Sequence, residues 1–121
     1  MILTVPHTPE TEGFMHAGRF GRMKRSAFFI NIGRGMTTRL HDLVEALNSG
    51  QIAGAALDVF ELEPLPPEHP LWDAPNVLIT PHVAGYGPYL DDRRLEIILE
   101  NARRFGAGRP LRNVVDKGSW F

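Results

Sequence analysis

Three charged side chains each stand just past an apolar, strand-like run. Arg34 follows Ala27-Phe28-Phe29-Ile30-Asn31, Glu63 follows Ala53-Gly54-Ala55-Ala56-Leu57-Asp58-Val59, and His82 follows Val77-Leu78-Ile79-Thr80. If these runs are neighbouring parallel strands, all three groups leave the sheet at one carboxyl edge, where open α/β sheets bind ligands. Arg34 lies between Gly33 and Gly35. A guanidinium there could grip a carboxylate with a two-pronged hydrogen bond and polarise an adjacent carbonyl; it could equally be a surface arginine in a glycine turn. His82 could shuttle a proton near neutral pH, or be a structural or exposed histidine. Glu63 closes an acidic trio with Asp58 and Glu61. A carboxylate bonded to an imidazole orients it and favours its charged form, whereas such a trio by itself also reads as a solvated loop. Together the three groups suit redox or acid–base chemistry on a small anion.

The elements that must position them are legible from periodicity and breakers. Ile2 to Val5 reads as a short strand stopped by Pro6, and Pro6-His7-Thr8-Pro9-Glu10-Thr11 as a loop. Residues 16–23 suggest a short helix with Phe20 and Met23 on one side, followed by a strand over 27–31. Leu40, Leu43, Val44 and Leu47 repeat at helical spacing, which predicts a helix over 39–49 with Thr38 as N-cap and Gly50 as stop. Strands follow at 53–58 and 77–80. Between them the five prolines of Glu63 to Pro75 preclude regular structure, and Leu71 and Trp72 are expected to pin the segment to the body. Leu95, Ile98, Leu99 and Ala102 mark a long amphipathic helix over 88–105, ended by Gly106 and Gly108. Alternating strands and helices imply right-handed crossovers and a parallel sheet. The expected fold is therefore α/β, with about four parallel strands and flanking helices.

Composition narrows the function classes. At 121 residues with 43% hydrophobic and 22% charged content, the chain is large enough for one modest core. A net charge of −1 gives no reason to expect nucleic acid or an anionic membrane as partner. The basic clusters around Arg22 and Arg104 read as solvated helix faces. Without cysteine there is no disulfide, thiolate nucleophile or thiolate metal site. That composition suits a reducing cytoplasm, the expected location. His7, His16, His41 and His69 lack metal-ligand spacing, so no metal site is expected. The start has no basic segment followed by a long apolar one, and no run approaches a membrane span of about 18 residues.

Taken in order, Asn31-Ile32-Gly33-Arg34-Gly35, Gly54-Ala55-Ala56-Leu57-Asp58-Val59-Phe60-Glu61-Leu62-Glu63-Pro64 and Pro75-Asn76-Val77-Leu78-Ile79-Thr80-Pro81-His82 resemble the D-isomer-specific 2-hydroxyacid dehydrogenases. Pro6-His7-Thr8-Pro9-Glu10-Thr11 and the ending Pro110-Leu111-Arg112-Asn113-Val114-Val115-Asp116 fit the same family. Glu63-Pro64-Leu65-Pro66-Pro67 with Pro70-Leu71-Trp72 is similar to its glyoxylate/hydroxypyruvate reductase branch. The resemblance implies hydride transfer between NAD or NADP and a small 2-keto or 2-hydroxy acid. It implies that Arg34 binds the substrate carboxylate and carbonyl, that His82 is the general acid or base, and that Glu63 supports His82. It further implies that Asp58 meets the nicotinamide end of the cofactor. Pro6, Thr11, Ile32 and Gly33 would line the cofactor cleft, and Gly85 would permit close backbone approach.

Family members are longer, and their Gly-x-Gly-x-x-Gly turn, which seats the pyrophosphate on a helix N-terminus, has no counterpart here. The expected content is the second half of a Rossmann-type domain over residues 1–106. Residues 107–121 would be a tail that returns to the substrate domain in the full family fold. Three expectations follow. The isolated chain should not turn over substrate. The Ile2–Val5 strand should be an open edge that favours a homo-oligomer. Trp120 and Phe121 should be loose or cap a neighbouring subunit. The alternative is a non-enzymatic oligomeric binding or assembly module derived from a truncated dehydrogenase.

Overall fold

A computed structural model describes residues 1–118. Trp120 and Phe121 lie outside the described residues. Tertiary contacts divide the chain between Ala84 and Gly85.

The first unit is a four-stranded parallel sheet in the order β1-β2-β3-β4, formed by Ile2–Leu3, Phe28–Asn31, Gly54–Leu57 and Val77–Ile79. Pairing is continuous: Leu3 faces Asn31, Asn31 faces Leu57, and Leu57 faces Ile79. The expected strands are all present, each trimmed at its ends. β1 stops at Leu3 instead of reaching Val5. Beyond it, only the Ile32 N–H still reaches the Leu3 carbonyl, at 3.2 Å.

Side chains alternate across the sheet as the strand period requires. Leu3, Phe29, Ala55 and Leu57 point to one face, which α1 (Ala17–Phe20) and α2 (Leu40–Asn48) help to bury. Phe20 meets Phe29 edge to face, with ring centroids 5.3 Å apart. Leu40, Leu43, Val44 and Leu47 turn into the same core, so the helical stripe read from the sequence is the buried face of α2. On the opposite sheet face Ile2, Phe28 and Leu78 remain exposed.

The caps of α2 differ at one end from the sequence expectation. Arg39, not Thr38, occupies the N-cap and offers no side-chain bond. The Leu40 N–H is instead satisfied by Glu61 Oε2 at 2.8 Å, from a distant loop. Thr38 is drawn away by Asn31, as described below. At the other end Gly50 adopts φ +64. The Gly50 N–H donates to Leu47 and the Gln51 N–H to Ala46, the paired bonds of a left-handed helix stop. The proline-rich segment contains a short 3-10 turn, Pro70–Asp73. Leu71 is fully buried there, whereas Trp72 is half exposed and tied by its indole N–H to the Pro66 carbonyl at 2.9 Å.

The second unit begins at Gly85 and consists of α3 (Leu90–Gly106) and the following chain. Asp91 and Asp92 lie in the first turn of α3 and Arg103 and Arg104 in the last, the arrangement that complements the helix dipole. Leu95, Ile98 and Leu99 are exposed along one side of it. Asn101 holds both the N–H and the carbonyl of Arg112, at 2.8 and 3.0 Å, so the start of the tail folds back on α3.

Candidate active site at the carboxyl edge of the sheet

The chain leaves β2, β3 and β4 at one edge, and the Gly33-Arg34-Gly35 turn, Glu63 and His82 all follow those exits. Asn31 organises the first of them. It ends β2 with no exposure, and a buried amide must find partners. Its Oδ1 accepts the Gly33 N–H at 3.0 Å, while its Nδ2 donates to the Arg34 carbonyl at 3.2 Å and to Thr38 Oγ1 at 3.0 Å. Thr37 Oγ1 donates to the same Arg34 carbonyl at 2.5 Å. The turn is thus fixed from beneath. The Arg34 side chain stays exposed and donates one bond, from Nη1 to the Gly33 carbonyl at 2.7 Å.

Both glycines of the turn are required by close approach. A Cβ on Gly33 would lie 2.9 Å from the Val5 carbonyl oxygen, and one on Gly35 would overlap the Phe60 carbonyl. Gly35 therefore sets the turn directly on the segment that carries Glu63.

That segment, Asp58 to Glu63, uses all three of its carboxylates. Asp58 is 3% exposed. Its Oδ1 accepts the Thr80 hydroxyl at 2.5 Å and the Val83 N–H at 2.8 Å, and its Oδ2 accepts the Ala84 N–H at 2.8 Å. Burial opposes its ionisation, but those hydrogen bonds and the neighbouring His82 outweigh it and hold the carboxyl below its ordinary value. Asp58 therefore braces both sides of the loop that presents His82. Glu61 caps α2. Glu63 Oε1 accepts the Phe60 N–H at 2.9 Å, and Glu63 Oε2 meets His82 Nδ1 at 2.6 Å. Burial opposes the Glu63 charge as well; the His82 and Phe60 bonds prevail and keep its carboxyl below the usual value. A carboxylate only accepts, so His82 Nδ1 carries the proton in that bond and Nε2 is left as the reactive nitrogen.

His82 itself sits at φ +55, a left-handed conformation that its β-carbon disfavours. The brace at Asp58 and the bond to Glu63 hold it there. Arg34, Glu63 and His82 are thereby linked by a short relay: the Gly35 backbone against Phe60, Phe60 to Glu63, and Glu63 to His82.

Of the remaining expected site residues, Pro6 and Thr11 follow β1 and Ile32 and Gly33 follow β2, whereas Gly85 lies beyond β4. The Pro6 carbonyl accepts the Thr11 hydroxyl at 2.7 Å, and Thr11 Oγ1 also accepts the Thr8 N–H at 2.7 Å, which closes the first loop on itself. Ile32 follows β2 with 46% of its surface exposed. Gly85 opens the second unit, and open space surrounds the position a Cβ would take there. Asn31, Thr37 and Thr80 have no site role in the sequence reading, and Thr38 figures there only as a helix cap. Their signal was nevertheless present, as polar residues at the buried ends of apolar runs.

One group of potential metal ligands occurs among the described residues: His41, Asp42 and Glu45, whose ligand atoms lie within 4.8 Å of one another on α2. Asp42 Oδ2 already accepts the Ala17 N–H at 2.8 Å. No helix among the described residues is long and apolar enough to cross a membrane.

Comparison with known proteins agrees with this fold. Residues 1–84 match the family model of the D-isomer specific 2-hydroxyacid dehydrogenase NAD binding domain. A glyoxylate/hydroxypyruvate reductase A of Yersinia enterocolitica is 40% identical over 116 residues, which is 96% of this chain and 36% of that protein. Among solved structures, a D-isomer specific 2-hydroxyacid dehydrogenase from Xanthobacter autotrophicus Py2, in complex with NADPH and MES, superposes with a TM-score of 0.86 at 47% identity. The match covers 95% of this chain and 47% of that one. The NADPH-dependent glyoxylate/hydroxypyruvate reductase of Sinorhizobium meliloti, in complex with NADP and sulfate, gives 0.88 at 42% identity, over 99% of this chain and 39% of that one. The chain spans 36–38% of the length of the curated relatives it matches. Because that family model covers residues 1–84, well over half of the sequence, the chain belongs to the D-isomer specific 2-hydroxyacid dehydrogenase family, as its NAD binding domain segment.

Proposed function

We propose that this chain supplies the substrate-holding and proton-transferring part of an NAD(P)-dependent D-2-hydroxyacid dehydrogenase. The observation that carries this reading is the 2.6 Å bond between Glu63 Oε2 and His82 Nδ1 at the carboxyl edge of the sheet. Arg34 binds the carboxylate of a 2-keto acid and draws electron density from its carbonyl. His82, held by Glu63, gives the Nε2 proton to the carbonyl oxygen as the carbon is reduced, and takes it back in the reverse direction. The coenzyme, when bound, supplies the hydride. Ile32 and Gly33 would hold its nicotinamide end, with Pro6 and Thr11 as further holding residues and Gly85 giving the backbone room. Asp58 serves that end chiefly by fixing the loop that carries His82. Small 2-keto acids of the glyoxylate and hydroxypyruvate type are the substrates supported by the relatives' names.

The sequence contains no Gly-x-Gly-x-x-Gly turn, so the pyrophosphate must be held by residues other than those described. The 121-residue chain alone is accordingly expected to show background turnover only. The test is a hybrid enzyme in which this chain replaces the matching 39% of the Sinorhizobium reductase. Reduction of glyoxylate or hydroxypyruvate with NADPH is the expected result. A folded, coenzyme-binding hybrid without turnover overturns the reading.

A further inference from the structure

α3 is 17 residues long and buries none of them completely. The chain that follows covers one side of it. Asn101 holds Arg112 by two hydrogen bonds, Arg104 Nη1 donates to the Pro110 carbonyl at 3.2 Å, and Arg104 pairs with Glu100 at 2.7 Å. With Ile97, those three residues form the half-buried side of the helix. Another side carries Leu95, Ile98, Leu99 and Phe105, exposed by 55, 63, 47 and 79%. Exposed Ala102 lies in the same row. The spacing makes one continuous apolar stripe, and a contiguous exposed stripe marks an interaction surface.

The charges beside the stripe define what fits it. Asp91 and Asp92 stand in the first turn of α3, and Arg103 and Arg104 in the last. Asp91 pairs with Arg94 and Arg104 with Glu100. Asp92 and Arg103 are left exposed, with no ion-pair partner among the described residues. They are separated by about three helical turns, so they share one flank of the stripe. A two-fold axis at Ile98 and Leu99 sets the helix antiparallel to its copy and each flank beside the same flank of the other. Leu95 then meets the second copy's Ala102, a large residue against a small one. Asp92 lies within about 3 Å of axial rise of the second copy's Arg103, and symmetry repeats the pair. A parallel arrangement would place acid beside acid at one end and base beside base at the other.

We infer that the exposed stripe of α3 is a self-association surface, through which two copies of this chain pair antiparallel, Asp92 of each bound to Arg103 of the other. One helix face per copy is at the low end of specific interfaces, so the dimer forms reversibly at micromolar concentrations. The inference is independent of the roles proposed for Arg34, Glu63 and His82.

Sedimentation equilibrium of the full chain at low salt tests it, with circular dichroism to check that each variant keeps its helix. The unmodified chain should show a reversible monomer–dimer equilibrium. Ile98→Glu places two like charges at the axis and should weaken the dimer about tenfold or more. Asp92→Arg and Arg103→Asp should each weaken it about fivefold. The double exchange should restore the original affinity. That exchange opposes the helix dipole, so recovery can come only from the pairing. A monomer at every concentration assigns the stripe to a different partner and overturns the inference. A dimer indifferent to Ile98→Glu, or one that the double exchange fails to restore, overturns it as well.

Discussion

At the scale of residues, the polar groups of the sheet edge have few alternative partners. His82 Nδ1 faces a carboxylate oxygen at 2.6 Å, so it must carry hydrogen whether the ring is neutral or charged. Nitrogen-15 shifts of the full chain should therefore show Nδ1 protonated across the neutral range, and Glu63→Gln should relax that bias; a dominant Nε2–H tautomer in the unmodified chain would contradict it. Asp58 and Glu63 both have carboxyls held below their ordinary values. A carboxylate lowered on folding stabilises the protein above its unfolded pKa, and that stability is lost as pH falls through the folded value. The thermal midpoint should thus drop below about pH 4.5, where carboxylates begin to bind protons. The drop should be shallower in Asp58→Asn, which removes one of the two groups; an identical acid limb in both proteins would assign the loss elsewhere. The sequence revealed Arg34, Glu63 and His82 because each is a charged group past a strand. It hid the job of Asp58, because three of the bonds that reveal it come from Thr80, Val83 and Ala84, more than twenty positions away.

At the scale of elements, strands and helices were readable because their signals are local. The α2 stripe at Leu40, Leu43, Val44 and Leu47 is the buried face, and Gly50 stops the helix in the left-handed conformation that favours glycine. The N-terminus of the same helix was misread because Thr38 is a good cap by type, yet its hydroxyl is engaged by Asn31 while Glu61 caps from 21 positions away. Such long-range substitutions leave no periodic trace. The turn that carries Arg34 is where element packing becomes chemistry. Gly35→Ala forces a methyl group into the Phe60 carbonyl and must displace the segment that presents Glu63. It should cost roughly 1–3 kcal/mol, the usual range for overpacking, and should disturb the His82 ring resonances as well. A variant with unchanged stability and unchanged His82 signals would break the proposed link from turn to dyad. Asn31→Ala should cost roughly 1–3 kcal/mol for another reason: it leaves the buried Gly33 N–H and Thr38 hydroxyl short of a partner. Chemical denaturation measures both.

At the scale of the whole molecule, β1 ends the sheet with one side unpaired among the described strands. The Met1 and Leu3 carbonyls point toward β2, accepting from Ile30 and Ile32, so the N–H of Ile2 faces the open side. Sequence made four parallel strands legible, but not the division between Ala84 and Gly85, which depends on contacts that no local pattern encodes. In the proposed function His82, positioned by Glu63, moves the substrate proton. The most direct measurement is the single-turnover rate of keto-acid reduction in the hybrid enzyme, unmodified against His82→Gln. A fall of about 10²–10⁴-fold in the chemical step, with 2-keto acid affinity changed only a few fold, is the result predicted. An unchanged chemical step would mean that the proton comes from another group and that the dyad is structural.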